Sequence, residues 1–203
     1  MKSVRSIWLP DTETHMQNFI NSTGTYQRNT LLVAVAFCEQ KRNAIDIGAH
    51  CGLWSMHLTK LFNHVDAFEP IKAHRECFDE NVEGSVKLYP FALGDTDGDV
   101  FLHLEEDNTG HTHIAKEGVK ARMKKLDSFD FREVDFIKMD CEGFEYFVCL
   151  GGEETIKREK PIICLEQKPH GFYGIDTHAG VKLLHSWGMK EFGRVSADFI
   201  MGW

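Results

Sequence analysis

The order of apolar segments predicts an α/β fold, a mostly parallel open sheet with helices on both faces. Three observations carry it. Ala44-Ile45-Asp46-Ile47, then Gly48-Ala49-His50-Cys51-Gly52, then apolar residues at helical spacing from Leu53 to Phe62 read as strand, tight turn and helix. Val65-Asp66-Ala67-Phe68-Glu69-Pro70 gives a second strand and ends in an acid about 20 residues after the first glycine, where such folds hold a ribose by its hydroxyls. Apolar runs at Val86 to Tyr89, Val134 to Met139 and Pro161 to Leu165 then alternate with helical stretches, the pattern of a parallel sheet.

Taken in order, Ser6 to Pro10 reads as a short edge piece, and Asp11 or Thr12 is placed to cap a helix through Phe19. Asn21 to Thr25 reads as loop, and Asn29 or Thr30 as the cap of a helix from Leu31 to Gln40. Residues 1–43 are thus expected to form a helical extension packed on the sheet, and 44–203 the main unit of one structural domain. Ile71 to Asn81 predicts a helix. Thr96-Asp97-Gly98-Asp99 is a turn signal between Ala92-Leu93 and Val100 to Leu104, which predicts a hairpin, with Val119 to Met123 returning as another strand. Phe144 to about Lys157 predicts a helix that Gly151-Gly152 weakens in its middle. Thr177 to Trp187 predicts the last helix, closed by Gly188, before a closing pair of strands at Met189 to Val195 and Asp198 to Trp203.

Composition narrows the function. The 203 residues suffice for one well-buried domain and are few for two. A net charge of −8, from 31 acids against 23 Lys and Arg with no basic block, argues against a nucleic-acid backbone as partner. The six cysteines include no C-x-x-C pair and lie mostly in apolar runs, so they read as reduced core residues rather than a zinc site. Met1 to Pro10 has no continuous apolar segment, so neither a signal peptide nor a membrane span is expected, and the cytoplasm is the expected compartment.

The glycine turn narrows the ligand. Glycine at 48 lets the turn take backbone angles closed to other residues, and lets a ligand approach the main chain. The helix opening after Gly52 directs free N–H groups toward the turn. Its D-x-G-x-x-x-G spacing differs from the G-x-G-x-x-G that seats a pyrophosphate, and Asp46 would repel a phosphate while attracting a cation. S-adenosylmethionine, with a ribose, a sulfonium, an ammonium and no phosphate, meets these conditions.

Four stretches together resemble the FkbM-type S-adenosylmethionine-dependent methyltransferases: Ile45 to Gly52, Ala67 to Pro70, Ala92 to Asp95, and Ile137-Lys138-Met139-Asp140-Cys141-Glu142-Gly143-Phe144-Glu145. The last, K-x-D-x-E-G-x-E, is the most specific. The resemblance spans about Tyr26 to Gln167 and implies the Rossmann-like class I methyltransferase fold with a seven-stranded sheet. It implies cofactor contacts from Asp46, Gly48, Ala49, His50, Gly52, Glu69, Pro70, Ala92, Leu93 and Asp140. An ordinary turn at Gly94-Asp95 accounts for Ala92 and Leu93 equally well. O-methylation of a small-molecule acceptor with a saccharide-like hydroxyl is the expected reaction on the family likeness alone; methylation of nucleic acid or protein, and a non-catalytic cofactor-binding scaffold, stay open.

Methyl transfer to a hydroxyl also needs somewhere for the proton to go. Asp140, at the carboxyl end of its strand, is the first candidate, with Lys138 two residues earlier on the same strand face. Asp140 bonding only to backbone or cofactor, and Lys138 as a plain ion-pair partner, explain the residues nearly as well. His113, paired with His111 in the irregular stretch from Asp95 to Lys125, offers an imidazole near neutral pH, against the simpler reading of a solvated loop histidine. A metal is not favoured; Asp140, Glu142 and Glu166 are the oxygen donors available to a divalent ion. Tyr26 and Gln27 precede the second helix, close to where the resemblance puts the cofactor pocket; a connector tyrosine is an equal reading.

Overall fold

A strand buried on both faces needs a largely apolar run, and the segments around Ile45, Ile137 and Ile163 supply one. They form the centre of the sheet. In the computed structural model, which describes residues 1–203, the chain begins with β1 (Lys2–Val4), β2 (Ile7–Leu9), α1 (His15–Thr23) and α2 (Arg28–Val35). It continues as β3 (Asn43–Ile47), α3 (Ser55–Leu58), β4 (His64–Phe68), α4 (Lys72–Asn81), β5 (Val86–Tyr89), β6 (Phe91–Leu93), β7 (Gly98–His103), β8 (His113–Ala115) and β9 (Val119–Lys124). It ends with β10 (Val134–Met139), α5 (Glu145–Gly151), α6 (Glu153–Glu159), β11 (Ile162–Glu166), α7 (Ala179–Ser186), β12 (Lys190–Val195) and β13 (Asp198–Gly202).

The main sheet has seven strands in the order β12-β13-β11-β10-β3-β4-β5. The pairings from β11 to β5 are parallel, and β13 runs antiparallel to both neighbours. Its two faces bury different sets. Ile45, Ile47, Ile137, Met139, Ile163 and Leu165 pack with α5, α6 and α7, whereas Ala44, Phe136 and Cys164 pack with α2 and Trp54. Period-two alternation therefore puts Asp46 and Lys138 on the second face, as direct cross-strand partners. The register does the functional work: Ile47 lies level with Phe68 and Met139, and Met139 with Leu165. The next residue of each strand, Gly48, Glu69, Asp140 and Glu166, thus stands along one edge at the carboxyl ends, where open parallel sheets bind ligands.

Several local expectations need correction. The N-terminal stretch is not wholly helical, because β1 and β2 form an antiparallel hairpin. Its first helix starts at His15 and runs through Thr23, past the expected end at Phe19 and into the expected loop. Glu13 is fully buried and accepts the Met16 N–H at 2.7 Å, so the start lies beyond Asp11 and Thr12, and Gly24, at φ 79°, ends it. The second helix begins at Arg28, three residues early, and stops at Val35 where bonds from Phe37 to Ala34 and Cys38 to Val35 tighten the turn. After Gly52 the expected ten-residue helix is α-helical only over Ser55–Leu58, with i→i−3 and i→i−4 bonds mixed on either side. The expected hairpin between β6 and β7 does not form. A second, four-stranded sheet runs β6-β9-β7-β8, with β9 inserted between the two and parallel to β6. Alternation marks strands but not their neighbours. The helix after β10 is broken at Gly151-Gly152, where α5 ends and α6 begins, and Gly151 packs so closely on the end of β6 that a Cβ there would lie 1.9 Å from the Gly94 carbonyl oxygen.

Candidate active site

Two adjoining clefts open at the carboxyl edge of the sheet. One, of about 590 Å³, is lined on its apolar side by Phe68, Phe91, Leu93 and Phe144 and on its polar side by Glu69 and His113. The other, of about 620 Å³, is lined by Tyr26, Lys138, Glu142, Glu166 and Lys168. Gly48, His50, Gly110 and Asp140 line both. A Cβ at Gly48 would meet the Asp140 carbonyl oxygen at 2.0 Å, and the residue has φ 76°, so only glycine lets the two strand ends close up.

Glu69 is buried and tightly held. Its Oε2 accepts the His50 N–H at 2.9 Å, its Oε1 the Ile71 N–H at 2.7 Å, and His74 Nδ1 lies 3.2 Å from Oε1. Since a carboxylate offers about four acceptor sites, room remains for one more hydroxyl. His50 joins three parts of the chain. Its Nε2 contacts Thr109 Oγ1 at 2.8 Å, and Glu13 Oε2 accepts both the Thr109 N–H and its hydroxyl at 2.7 Å. Burial lowers the His50 pKa well below that of a free histidine, so the ring is neutral, and its buried Nδ1 has no partner.

Asp140 sits between the clefts with its backbone N–H on the Ile47 carbonyl. Lys138 Nζ lies 3.3 Å from Asp140 Oδ2 and 3.9 Å from Asp46 Oδ1. Burial pulls the lysine pKa down, but Asp140 and Asp46 outweigh it, and the pKa ends above that of an ordinary lysine. The sequence-predicted residues therefore separate. Gly48, His50 and Asp140 face both clefts; Pro70, Ala92 and Leu93 face the first with Glu69, and Ala49 faces the second. Asp46 lines neither. It is buried beneath Lys138 and accepts the Ser55 hydroxyl at 2.7 Å. Gly52 also lines neither, since a Cβ there would meet Val82 at 2.3 Å and Phe78 at 2.9 Å. His113 lies on the apolar cleft, stacked on Phe172 at 3.8 Å, whereas Lys138 faces the charged one.

Glu13, Thr109 and Lys168 escape sequence reasoning, because each reaches the site from an irregular segment with no periodic signal; His170, just beyond β11 and expected from the sequence to line the pocket, lies outside both clefts, packed over Gly143. Tyr26 lines the charged cleft, its hydroxyl pKa raised first by burial and next by Asp140.

Buried acids crowd this edge. Burial raises Glu145 to about 7 and Asp198 to about 6, and raises Glu142 and Glu166 as well. Such carboxyls hold protons in the folded chain that the unfolded chain releases above about pH 4.5. The stability they lend is complete below that pH and is lost as pH rises through 6 and 7. The ligand-free protein is expected to melt about 5–10 °C lower at pH 8 than at pH 5, by circular dichroism; a midpoint that climbs toward pH 8 contradicts the assignment.

A seven-stranded sheet of this order, with a glycine turn after its first strand and an acid after its second, defines the class I, S-adenosylmethionine-dependent methyltransferase fold. The chain matches the methyltransferase FkbM domain over residues 46–193 and belongs to that family. Two solved structures resemble it. Methyltransferase FkbM from Methylobacillus flagellatus KT has a TM-score of 0.51 and 17% identity over 79% of this chain and 43% of its own length. A precorrin 8W decarboxylase from Methanobacterium thermoautotrophicum has a TM-score of 0.58 and 10% identity over 100% of both. These likenesses are of fold alone, and this chain spans less than half of the FkbM structure. No curated protein matches the sequence. No helix is long and apolar enough to cross a membrane.

The family's cofactor fits the residues present. An apolar slot beside Glu69 suits a nucleoside, the Cβ-free surface of Gly48 suits close approach, and the charged cleft beyond Asp140 suits an amino-acid moiety.

Proposed function

We propose that this chain binds S-adenosylmethionine across the two clefts and methylates a hydroxyl oxygen of a small, saccharide-like acceptor. The observation that carries the reading is the placing of Asp140 on both clefts, between the apolar slot at Glu69 and the charged groups beyond. The cofactor, when bound, supplies an electrophilic methyl group. Glu69 accepts a ribose hydroxyl, while Phe91, Ala92 and Leu93 wall the adenine. Asp140 accepts the acceptor's hydroxyl hydrogen bond, aligns its oxygen lone pair and takes its proton. Lys138 holds that carboxylate in place, and alignment at near-attack distance supplies much of the rate. His113, on the apolar cleft, serves as a wall rather than a base. The acidic net charge favours a small acceptor over a nucleic acid.

Titration calorimetry with S-adenosylhomocysteine, followed by a radiolabelled-methyl screen of hydroxylated acceptors, tests the reading. Glu69→Gln turns an amide N–H toward backbone donors and loses a charged hydrogen bond, so the dissociation constant is expected to rise about 10- to 100-fold. Wild-type affinity in that variant removes Glu69 from the site.

A further inference from the structure

Three side chains beyond Asp140, those of Glu142, Glu166 and His170, bring donor atoms close together. Glu166 closes β11 with its side chain 4% exposed; Lys168 Nζ satisfies Oε1 at 2.6 Å, and Oε2 is buried without a hydrogen-bond partner. Glu142, whose side chain is 9% exposed, also has an unpartnered Oε2. Its backbone takes φ 50°, a left-handed conformation that non-glycine residues rarely adopt. His170 enters from the segment between β11 and α7, packed over Gly143, and its buried Nε2 lies 3.3 Å from Glu142 Oε2 without hydrogen-bond geometry.

Buried polar atoms rarely go unpaired, and three that converge point to a missing partner. A ligand atom from each residue lies within 4.8 Å of the others. That is the span of two ligands on opposite sides of one ion, at metal–donor distances of roughly 2.1–2.4 Å. Two carboxylates and an imidazole supply the charge and the neutral donor such an ion needs. The imidazole favours first-row transition metals over magnesium or calcium, which take oxygen ligands. Asp140, the donor the sequence favours, is instead paired with Lys138, and His170 takes its place.

We propose that Glu142, Glu166 and His170 form an enclosed site for one divalent first-row transition-metal ion, beside the charged cleft that Glu142 and Glu166 line. The ion site does not depend on the methyl-transfer reading above.

Manganese tests the site without engaging the six cysteines, because it prefers oxygen and imidazole ligands to thiolates. The full chain, stripped with chelator, is titrated with Mn²⁺ while the spin-resonance signal of the free ion is followed, and S-adenosylhomocysteine affinity is measured on the same samples. One Mn²⁺ per chain is expected, with binding weakened at least about tenfold in both Glu166→Gln and His170→Ala, and with little change in cofactor affinity in His170→Ala, whose side chain lines neither cofactor cleft. No uptake by the wild type, or uptake that neither variant alters, overturns the proposal. So does loss of S-adenosylhomocysteine binding in the variants with Mn²⁺ uptake intact, which would make these acids the pocket for the cofactor's ammonium. A wild-type chain that takes up Mn²⁺ but not S-adenosylhomocysteine leaves the ion site standing and removes the methyl-transfer reading.

Discussion

Asp140→Asn is expected to slow methyl transfer about 10²- to 10⁴-fold, the usual worth of a positioned proton acceptor, while S-adenosylhomocysteine affinity changes far less. The substitution keeps the shape of the side chain and removes only its charge and basicity. The position is fixed from the backbone outward: the Asp140 N–H bonds the Ile47 carbonyl, its own carbonyl packs on the bare Cα of Gly48, and its carboxylate is 3.3 Å from Lys138. Asparagine would keep that frame but present an amide that cannot take a proton. Single-turnover rates with a hydroxyl acceptor, set beside calorimetric affinities, separate the alternatives. If rate and affinity fall in proportion, Asp140 is a binding residue; if turnover stays at the wild-type level, it handles no proton.

The central strands could be read almost residue by residue, because apolar runs of this length between glycine-containing turns leave few alternatives. The positions after them were legible for the same reason: four strands in parallel register bring the residue following each to one edge, so Gly48, Glu69, Asp140 and Glu166 could be grouped before any coordinates. What alternation cannot convey is depth. Asp46 reads as a ligand-facing acid, yet its strand parity turns it under Lys138 and against Ser55, out of both clefts. Gly52 reads as part of a cradle, yet its missing side chain makes room for Phe78 and Val82. Non-local pairings were invisible too. The second sheet places β9 between β6 and β7, and Glu13 reaches Thr109 across 96 residues. Neither pairing leaves a periodic trace.

Lys138 carries the other large effect, this time on stability. It is 6% exposed between Asp46, which is fully buried, and Asp140, with its charge over the ring of Trp54 at 5.6 Å. Removing one member of a buried ionic group strands the rest, and the loss typically reaches about 3–5 kcal/mol. Lys138→Met, similar in length and free of charge, is expected to lose that much in urea unfolding at pH 8. The deficit has a direction in pH. Burial raises the Asp46 pKa and Lys138 counters the rise, so without the lysine the folded-state pKa climbs further above its unfolded value. The variant's acid is then protonated and harmless at low pH, and its cost grows as pH rises through the new folded pKa. The variant should therefore approach the wild type at pH 5 and fall behind at pH 8. Adding Asp46→Asn should recover part of the difference at pH 8 and little at pH 5. An equal deficit at both pH values would mean that the side chain matters for its packing against Trp54 rather than for its charge.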